Sequence, residues 1–147
     1  PEAAKKLLAD AGAQVSLSTL HTLVLRLADR ERSAARPADA ADWNAALGAA
    51  HRVLAERGSR LAVFELRDSL ERTAPERLDD LLVAAAAIGD STCLASLAAA
   101  YTRSPASLRE PIADAFRAIL RRDGLTRRHA AVRRALAHWP DAAAIVP

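Results

Sequence analysis

The segment that decides the fold is Leu78-Asp-Asp-Leu-Leu-Val-Ala-Ala-Ala-Ala-Ile-Gly-Asp90, followed directly by Ser91-Thr-Cys-Leu-Ala-Ser-Leu-Ala-Ala-Ala-Tyr101. In both halves the apolar residues recur at i, i+3, i+4 and i+7, which is one face of an α-helix. They are Leu78, Leu81, Leu82 and Ala85, and then Leu94, Leu97, Ala98 and Tyr101. The Gly89-Asp90 pair supplies a helix stop and then an N-cap. The segment therefore predicts two helices joined by a tight turn.

Apolar residues at helical spacing, three or four residues apart, recur on both sides of this segment. They are Leu20, Leu23, Val24 and Leu27, then Leu108, Ile112, Ala115 and Ile119, and then Val132, Ala135, Leu136 and Trp139. Hydrophobic residues make up 51% of the chain and aromatic residues only 3%. Alanine, the best helix former, dominates the apolar set. We therefore predict an all-α protein with helices at 2–11, 17–33, 40–57, 60–72, 75–88, 91–103, 108–122 and 127–139, and a short turn at 141–146.

Glycines are expected to end several of these helices in the left-handed cap conformation. They are Gly12, Gly58, Gly89 and Gly124. N-caps are predicted at Ser59, Asp90 and Thr126, because their side chains can accept from a free backbone N–H. Pro111 leaves one start open, since the helix can begin at Leu108 or at Glu110.

The spacing of the glycines suggests a repeat. Gly58, Gly89 and Gly124 lie 31 and 35 residues apart, and each interval contains a helix, a proline turn (Pro75 or Pro105) and a second helix. Helices 75–88 and 91–103 are apolar nearly all round, so we expect both to be sandwiched between neighbours. The prediction is one segment over 1–147, an α-solenoid of about four stacked antiparallel helix pairs, with repeats at 17–57, 59–89, 90–124 and 125–147.

The stretch 78–101 resembles the HEAT-repeat family, in particular the short bacterial form related to phycobilisome-lyase HEAT repeats. It is similar to the family's second helix, its Ile-Gly-Asp turn and the next first helix. A weaker copy is Ile112-Ala-Asp-Ala-Phe-Arg-Ala-Ile-Leu-Arg-Arg-Asp-Gly124. A tetratricopeptide array is the competing interpretation, although its tryptophan–glycine–tyrosine signature is not evident here. The resemblance implies a non-catalytic scaffold that binds a protein partner.

Positive charge is concentrated near the C-terminus, where residues 107–147 contain eight arginines and four acids. On a helix, Arg127, Arg134 and His138 fall on one side, and Arg121 and Arg122 end the preceding helix. These five residues are the predicted site for an anionic partner, which makes nucleic-acid or polyanion binding the first alternative function. In the other interpretation, the two helix-end arginines complement a helix dipole and the rest are a solvated face.

An enzyme, or a subunit of a lyase-type enzyme, is the second alternative. The sequence contains no recognisable nucleophile motif, phosphate-binding glycine loop or metal-binding spacing, so we predict no catalytic residue, cofactor or metal. His21, His51, His129 and His138 do not form a metal motif, and we expect His21 to be partly buried. Several residues could be either functional or structural. These are Cys93 (reactive thiol or buried apolar residue), Asp79 and Asp80 (acid pair or helix-dipole partners), and Trp43 and Trp139 (core residues or an exposed anchor).

The single cysteine excludes an intrachain disulfide. No apolar run approaches the roughly 20 residues that cross a bilayer, and the N-terminus has no signal-peptide pattern. The chain begins with Pro1 and contains no methionine. We therefore expect a piece of a longer cytoplasmic protein that does not enter a membrane.

Overall fold

The computed structural model describes residues 2–139, and this part of the chain is helical with no β-strand. This confirms the all-α prediction. The helices are α1 (Glu2–Gly12), α2 (Leu17–Ser33), α3 (Pro37–Glu56), α4 (Val63–Arg72), α5 (Asp79–Ile88), α6 (Leu94–Arg103), α7 (Ala106–Asp123) and α8 (Ala130–Leu136). Short 3₁₀ turns at Pro75–Arg77 and Ser91–Cys93 precede α5 and α6. The turn predicted at 141–146 lies outside the described residues.

The helices pack in two layers. In the first layer α2 contacts α4, α4 contacts α6 and α6 contacts α8, and in the second α1 contacts α3, α3 contacts α5 and α5 contacts α7. Between the layers, α2 packs on α3, α4 on α5 and α6 on α7. Each of these pairs is joined by a short connection, so its two helices are sequence neighbours.

The connections from the first layer to the second share one construction. The residue after the first-layer helix is extended, and a proline then begins or precedes the next helical segment. The extended residues are Ala34, Thr73 and Ser104, and the prolines are Pro37, Pro75 and Pro105. This construction corrects two predicted starts, because α3 begins at Pro37 rather than at residue 40 and α7 begins at Ala106. Pro111 lies inside α7.

Two of the four predicted glycine caps are confirmed. Gly58 and Gly124 have φ of 69° and 64°, in the left-handed region. Gly12 and Gly89 end α1 and α5 as predicted, but without the predicted left-handed conformation, because neither has a positive φ. Gly12 instead lies against α3, where an added Cβ would overlap a methyl group of Val53. This glycine allows α1 and α3 to approach closely.

The three residues predicted as N-caps, Ser59, Asp90 and Thr126, had different outcomes. Asp90 is an N-cap, because its side chain accepts from Thr92 N–H at 2.9 Å. Ser59 accepts a longer hydrogen bond from Leu61 N–H, at 3.3 Å, and α4 begins at Val63. Helix α8 begins at Ala130 with His129 before it, so the predicted cap at Thr126 is wrong. The predicted helix 127–139 is therefore shorter, because residues 126–129 form a turn.

The apolar core comprises two clusters. The smaller lies between α2 and α3 and includes Leu20, Val24 and Leu54, and the larger extends from α4 to α8 around Leu97 and Phe116. The helices predicted at 75–88 and 91–103 do lie between neighbours, because α5 contacts α3 and α7 and α6 contacts α4 and α8, but neither is buried all round. Val83 on α5 is 41% exposed, and Ala95 and Ala99 on α6 are exposed. Each of these helices keeps one face toward solvent.

Candidate functional site

The five basic residues predicted to bind an anionic partner do not lie together. Arg134 and His138 line a groove between α6 and α8, in the first layer. Arg121 lines a different groove, between α5 and α7 in the second layer. Arg127 is exposed in the turn before α8, where its carbonyl oxygen accepts a hydrogen bond from Arg133 at 3.4 Å.

Arg122 binds the backbone of the neighbouring helix. Its guanidinium donates to the carbonyl oxygens of Ala86 and Ala87, both at 2.8 Å, and to that of Gly89. These carbonyls end α5, where a helix leaves acceptors without an intrahelical partner. Arg122 also pairs with Asp123 at 3.0 Å. The sequence interpretation as a helix-end arginine fits, although the helix it complements is α5 rather than its own.

The groove between α6 and α8 has a volume of about 410 Å³. Alanines of both helices form its floor, and longer polar side chains stand at its edges. The floor residues are Ala95, Ala98, Ala99 and Ala135, and the edge residues are Thr102, Arg103, Arg134 and His138. No acidic residue among residues 2–139 lines it. We call this the α6–α8 groove and treat it as the candidate site.

Two contacts fix the edges of the α6–α8 groove. Thr102 Oγ1 lies 3.4 Å from the carbonyl oxygen of His138, which ties the end of α8 to α6. Arg103 donates to the carbonyl oxygen of Leu70 on α4 at 2.6 Å. Burial lowers the pKa of the Arg103 guanidinium, against the opposing effect of Glu71 and Glu76. The Arg103 side chain is therefore held in position while it lines the groove.

The other grooves of the described residues have a different character. Those between α5 and α7 (about 510 Å³) and between α1 and α3 (about 460 Å³) contain charges of both signs. The groove between α1 and α2, of about 520 Å³, is apolar apart from two threonines and Arg26. The α6–α8 groove differs from these three because it combines a small-residue floor with several cationic edges.

A second polar cluster, missed by the sequence analysis, joins α2 to α4. Arg72 donates to Glu31 at 2.7 Å, to Asp68 at 2.7 Å and to Glu65 at 3.2 Å. Arg32 donates to Glu65 at 2.8 Å and to Asp68 at 2.9 Å. Burial would raise the pKa of the Asp68 carboxyl, but the hydrogen bonds from the two arginines outweigh it and lower that pKa. One signal in the sequence could have predicted this cluster: Glu65, Asp68 and Arg72 are three and four residues apart, so they share one face of α4.

His51 lies close to this cluster, on α3. It is only 3% exposed, and its Nε2 has no hydrogen-bond partner among the described residues. Burial, together with the nearby charge of Arg72, lowers the pKa of His51 to about 4. The imidazole is therefore neutral at physiological pH, which is what burial beside a cation requires.

The remaining residues flagged in the sequence have structural environments. Cys93 is fully buried and burial raises the pKa of its thiol, which confirms the buried apolar interpretation. Trp139 is buried, with its ring centroid 4.1 Å from that of Tyr101. Trp43 is 37% exposed, so the core prediction for it is wrong. His21 is partly buried, as expected.

The acid pair at the start of α5 faces cations. Asp80 pairs with Arg52 at 3.2 Å and with Lys5 at 3.5 Å, so it links α5 to α3 and α1. Asp79 stands exposed in the first turn of the helix, where a negative charge is favourable. Among residues 2–139, no group of three or more His, Cys, Asp or Glu side chains is placed to hold a metal ion.

Comparisons with protein-family models, curated proteins and solved structures found no match to this chain. Within the part of the chain that the structure describes, no helix has the length and apolar character needed to cross a membrane.

Proposed function

We propose that this chain is a non-catalytic protein-interaction scaffold, built as an α-solenoid of stacked helix pairs of the HEAT type. The two-layer order of the helices supports this architecture. Each first-layer helix contacts the next first-layer helix, and each second-layer helix does the same. Such succession is typical of solenoids, in which each repeat contacts only its neighbours.

Recurring arginine contacts give further support. Arg57, just after α3, donates to the carbonyl oxygen of Gly12 at the end of α1, at 2.9 Å, and Arg122 does the same for the end of α5. In the other layer, Arg103 at the end of α6 donates to the carbonyl oxygen of Leu70 on α4, and Arg72 at the end of α4 pairs with the Glu31 carboxylate on α2. An arginine at or just after the end of one helix thus repeatedly binds the preceding helix of its layer, three times through backbone carbonyls and once through a carboxylate.

The observation that carries the interaction role is the open groove between successive helices of one layer. Helices α5 and α7 enclose about 510 Å³, and α6 and α8 enclose about 410 Å³. Both grooves are lined by dispersed side chains from two helices. Extended surfaces of this kind are how stacked repeats bind partners. The nucleophile candidate Cys93 is buried with a raised pKa, which favours binding over covalent catalysis.

Affinity capture with the full chain tests this function. We expect specific protein partners to be retained by the immobilised chain at about 150 mM salt. An excess of free chain should compete for these partners and reduce the amount retained. A variant with a tryptophan at exposed Ala99 blocks one groove, and Ala38→Trp, on the exposed start of α3, is the matched control. If no protein is retained by wild type at low or at high salt, the scaffold proposal is wrong.

Polyanion binding is the second candidate, because Arg127, Arg128, Arg133 and Arg134 are all exposed near the C-terminus. It predicts affinity for DNA or RNA that falls steeply with salt as counterions are released. Charge reversal at Arg127 and Arg134 should then weaken binding. Affinity that responds neither to salt nor to these changes would exclude this candidate.

A further inference from the structure

We infer that the α6–α8 groove binds an acidic amphipathic helix of a partner protein. This inference rests on the proposed interaction function and deepens it by assigning a site and the chemistry of the partner. It follows from three features of the groove: its floor, its charge and its dimensions.

The floor admits a helix backbone at close range. Ala95, Ala98, Ala99 and Thr102 follow one another at helical spacing on α6, and Ala135 faces them from α8. From Ala95 to Thr102 the α6 side of the groove extends about 10 Å, or two helical turns. A third helix can lie in the valley between two helices, and small side chains allow interaxial distances near the lower end of the usual ~8–10 Å.

The charge of the edges selects an acidic partner. Arg134, on α8, and His138, two residues beyond the end of that helix, line the same groove. Both are exposed. Among the described residues, the Arg134 side chain has no hydrogen bond or ion pair. By contrast, Arg117 on α7 is paired with Glu110 and Asp114, both at 3.0 Å. Carboxylates four residues apart on a partner helix would match the spacing of Arg134 and His138.

The same features argue against a nucleic acid in this groove. The floor offers methyl groups rather than hydrogen-bond donors for phosphates. Bases bound without sequence preference are usually stacked on aromatic side chains, and none of the residues that the structure describes lines this groove with an aromatic ring. An amphipathic helix uses both parts of the site, because its apolar stripe covers the alanines and its acids meet the cations.

A designed peptide tests the inference with a known probe. It is a fluorescein-labelled helix of about 20 residues with an alanine–leucine stripe and glutamates four residues apart beside it. The control peptide has the same stripe, with lysine in place of each glutamate. Anisotropy titrations of the full chain should give binding of the glutamate peptide at least tenfold tighter than that of the lysine peptide.

Variants locate the binding. Ala99→Trp fills the exposed floor and Arg134→Glu reverses the charge at the edge, and each should weaken binding of the glutamate peptide at least tenfold. Ala38→Trp and Arg60→Glu are matched changes at exposed positions outside the groove and should leave it within twofold. Circular dichroism and thermal unfolding of each variant confirm that the fold is retained.

Three outcomes would overturn the inference: equal affinity for the two peptides, binding that Ala99→Trp and Arg134→Glu leave unchanged, or a single-stranded oligonucleotide that binds more tightly and is lost in the same variants. Failure of this inference can be distinguished from failure of the proposed function. If a captured protein partner is retained equally by wild type and Arg134→Glu, the scaffold role stands and the assignment of this groove is wrong.

Discussion

The buried histidine of α3 should make the stability of the protein depend on pH in a defined window. Burial and Arg72 lower the pKa of His51 to about 4 in the folded chain, while an unfolded chain has the ordinary histidine value of about 6.5. Above the unfolded pKa both states hold a neutral imidazole. As the pH falls from about 6.5 towards about 4, the unfolded state binds a proton that the folded state does not, so the folded state loses stability.

The size of the effect follows from the two pKa values. Between roughly pH 7 and pH 5, this single group should remove about 2 kcal/mol from the free energy of unfolding. Below about pH 4 its contribution should level off, because both states are then protonated. Asp68, whose carboxyl pKa is lowered by the two arginines, keeps its charge through the window in the folded state.

Urea unfolding followed by circular dichroism measures this directly. His51→Met removes the titrating group while keeping an apolar side chain of similar size in the site. The wild type should lose about 2 kcal/mol more than His51→Met between roughly pH 7 and pH 5. His138→Gln, at an exposed position, is the control and should follow the wild type. Equal pH dependence in wild type and His51→Met would refute the reasoning.

Three further changes test the contacts that hold the helices together. Arg72→Met should cost about 2–3 kcal/mol, because it leaves the largely buried carboxylate of Glu31 without its cation and removes one of the two arginines that bind Glu65. Arg36→Met breaks an exposed pair and should cost under about 1 kcal/mol, so equal losses in urea unfolding would contradict the burial argument. Gly12→Ala should cost about 1–3 kcal/mol, because the added methyl group meets Val53. In a double-mutant cycle, the additional change Val53→Ala should recover part of that loss. Strictly additive effects of the two changes would show that the two sites do not touch. Arg122→Ala should cost about 0.5–1.5 kcal/mol, since it removes the donor to two carbonyls of α5 that lie near solvent. An unchanged unfolding free energy would mean that water replaces the guanidinium there.

The sequence predicted most of the helices because their period and their local stop signals agree. Helix α2 was predicted with its observed bounds, since Ser16 caps its first turn and the apolar stripe continues through its length. The start of α3 was missed because Pro37, placed in a polar loop by the sequence argument, occupies the first helical position. Pro111 left a boundary open for a similar reason, because a proline can also lie inside a helix.

What the sequence could not supply was the pairing between helices that are far apart along the chain. Glu65 and Asp68 have the spacing of a solvated helix face, and only the stacking of α4 on α2 brings them to Arg32 and Arg72. Likewise, Trp43 has a core-type position in the sequence, but in the structure its ring is partly exposed beside Arg30 of α2. The groove between α6 and α8 depends on the same offsets, so the alanines were predicted as core rather than as a surface.

The contacts between neighbouring helices give a physical reason for the excess of arginine over lysine in this chain. Helices leave carbonyl oxygens without partners at their C-termini, and the ends of α1, α4 and α5 are each contacted by an arginine at or just after the end of the following helix of the same layer. A guanidinium offers several donors in a rigid fork, so one arginine can satisfy two or more of them, as Arg122 does for α5. Arg57 and Arg103 serve α1 and α4 in the same way. Positive charge counted along the sequence therefore overstates the surface that is free to bind, and Arg134 is a better position than Arg122 for a charge-reversal test of recognition.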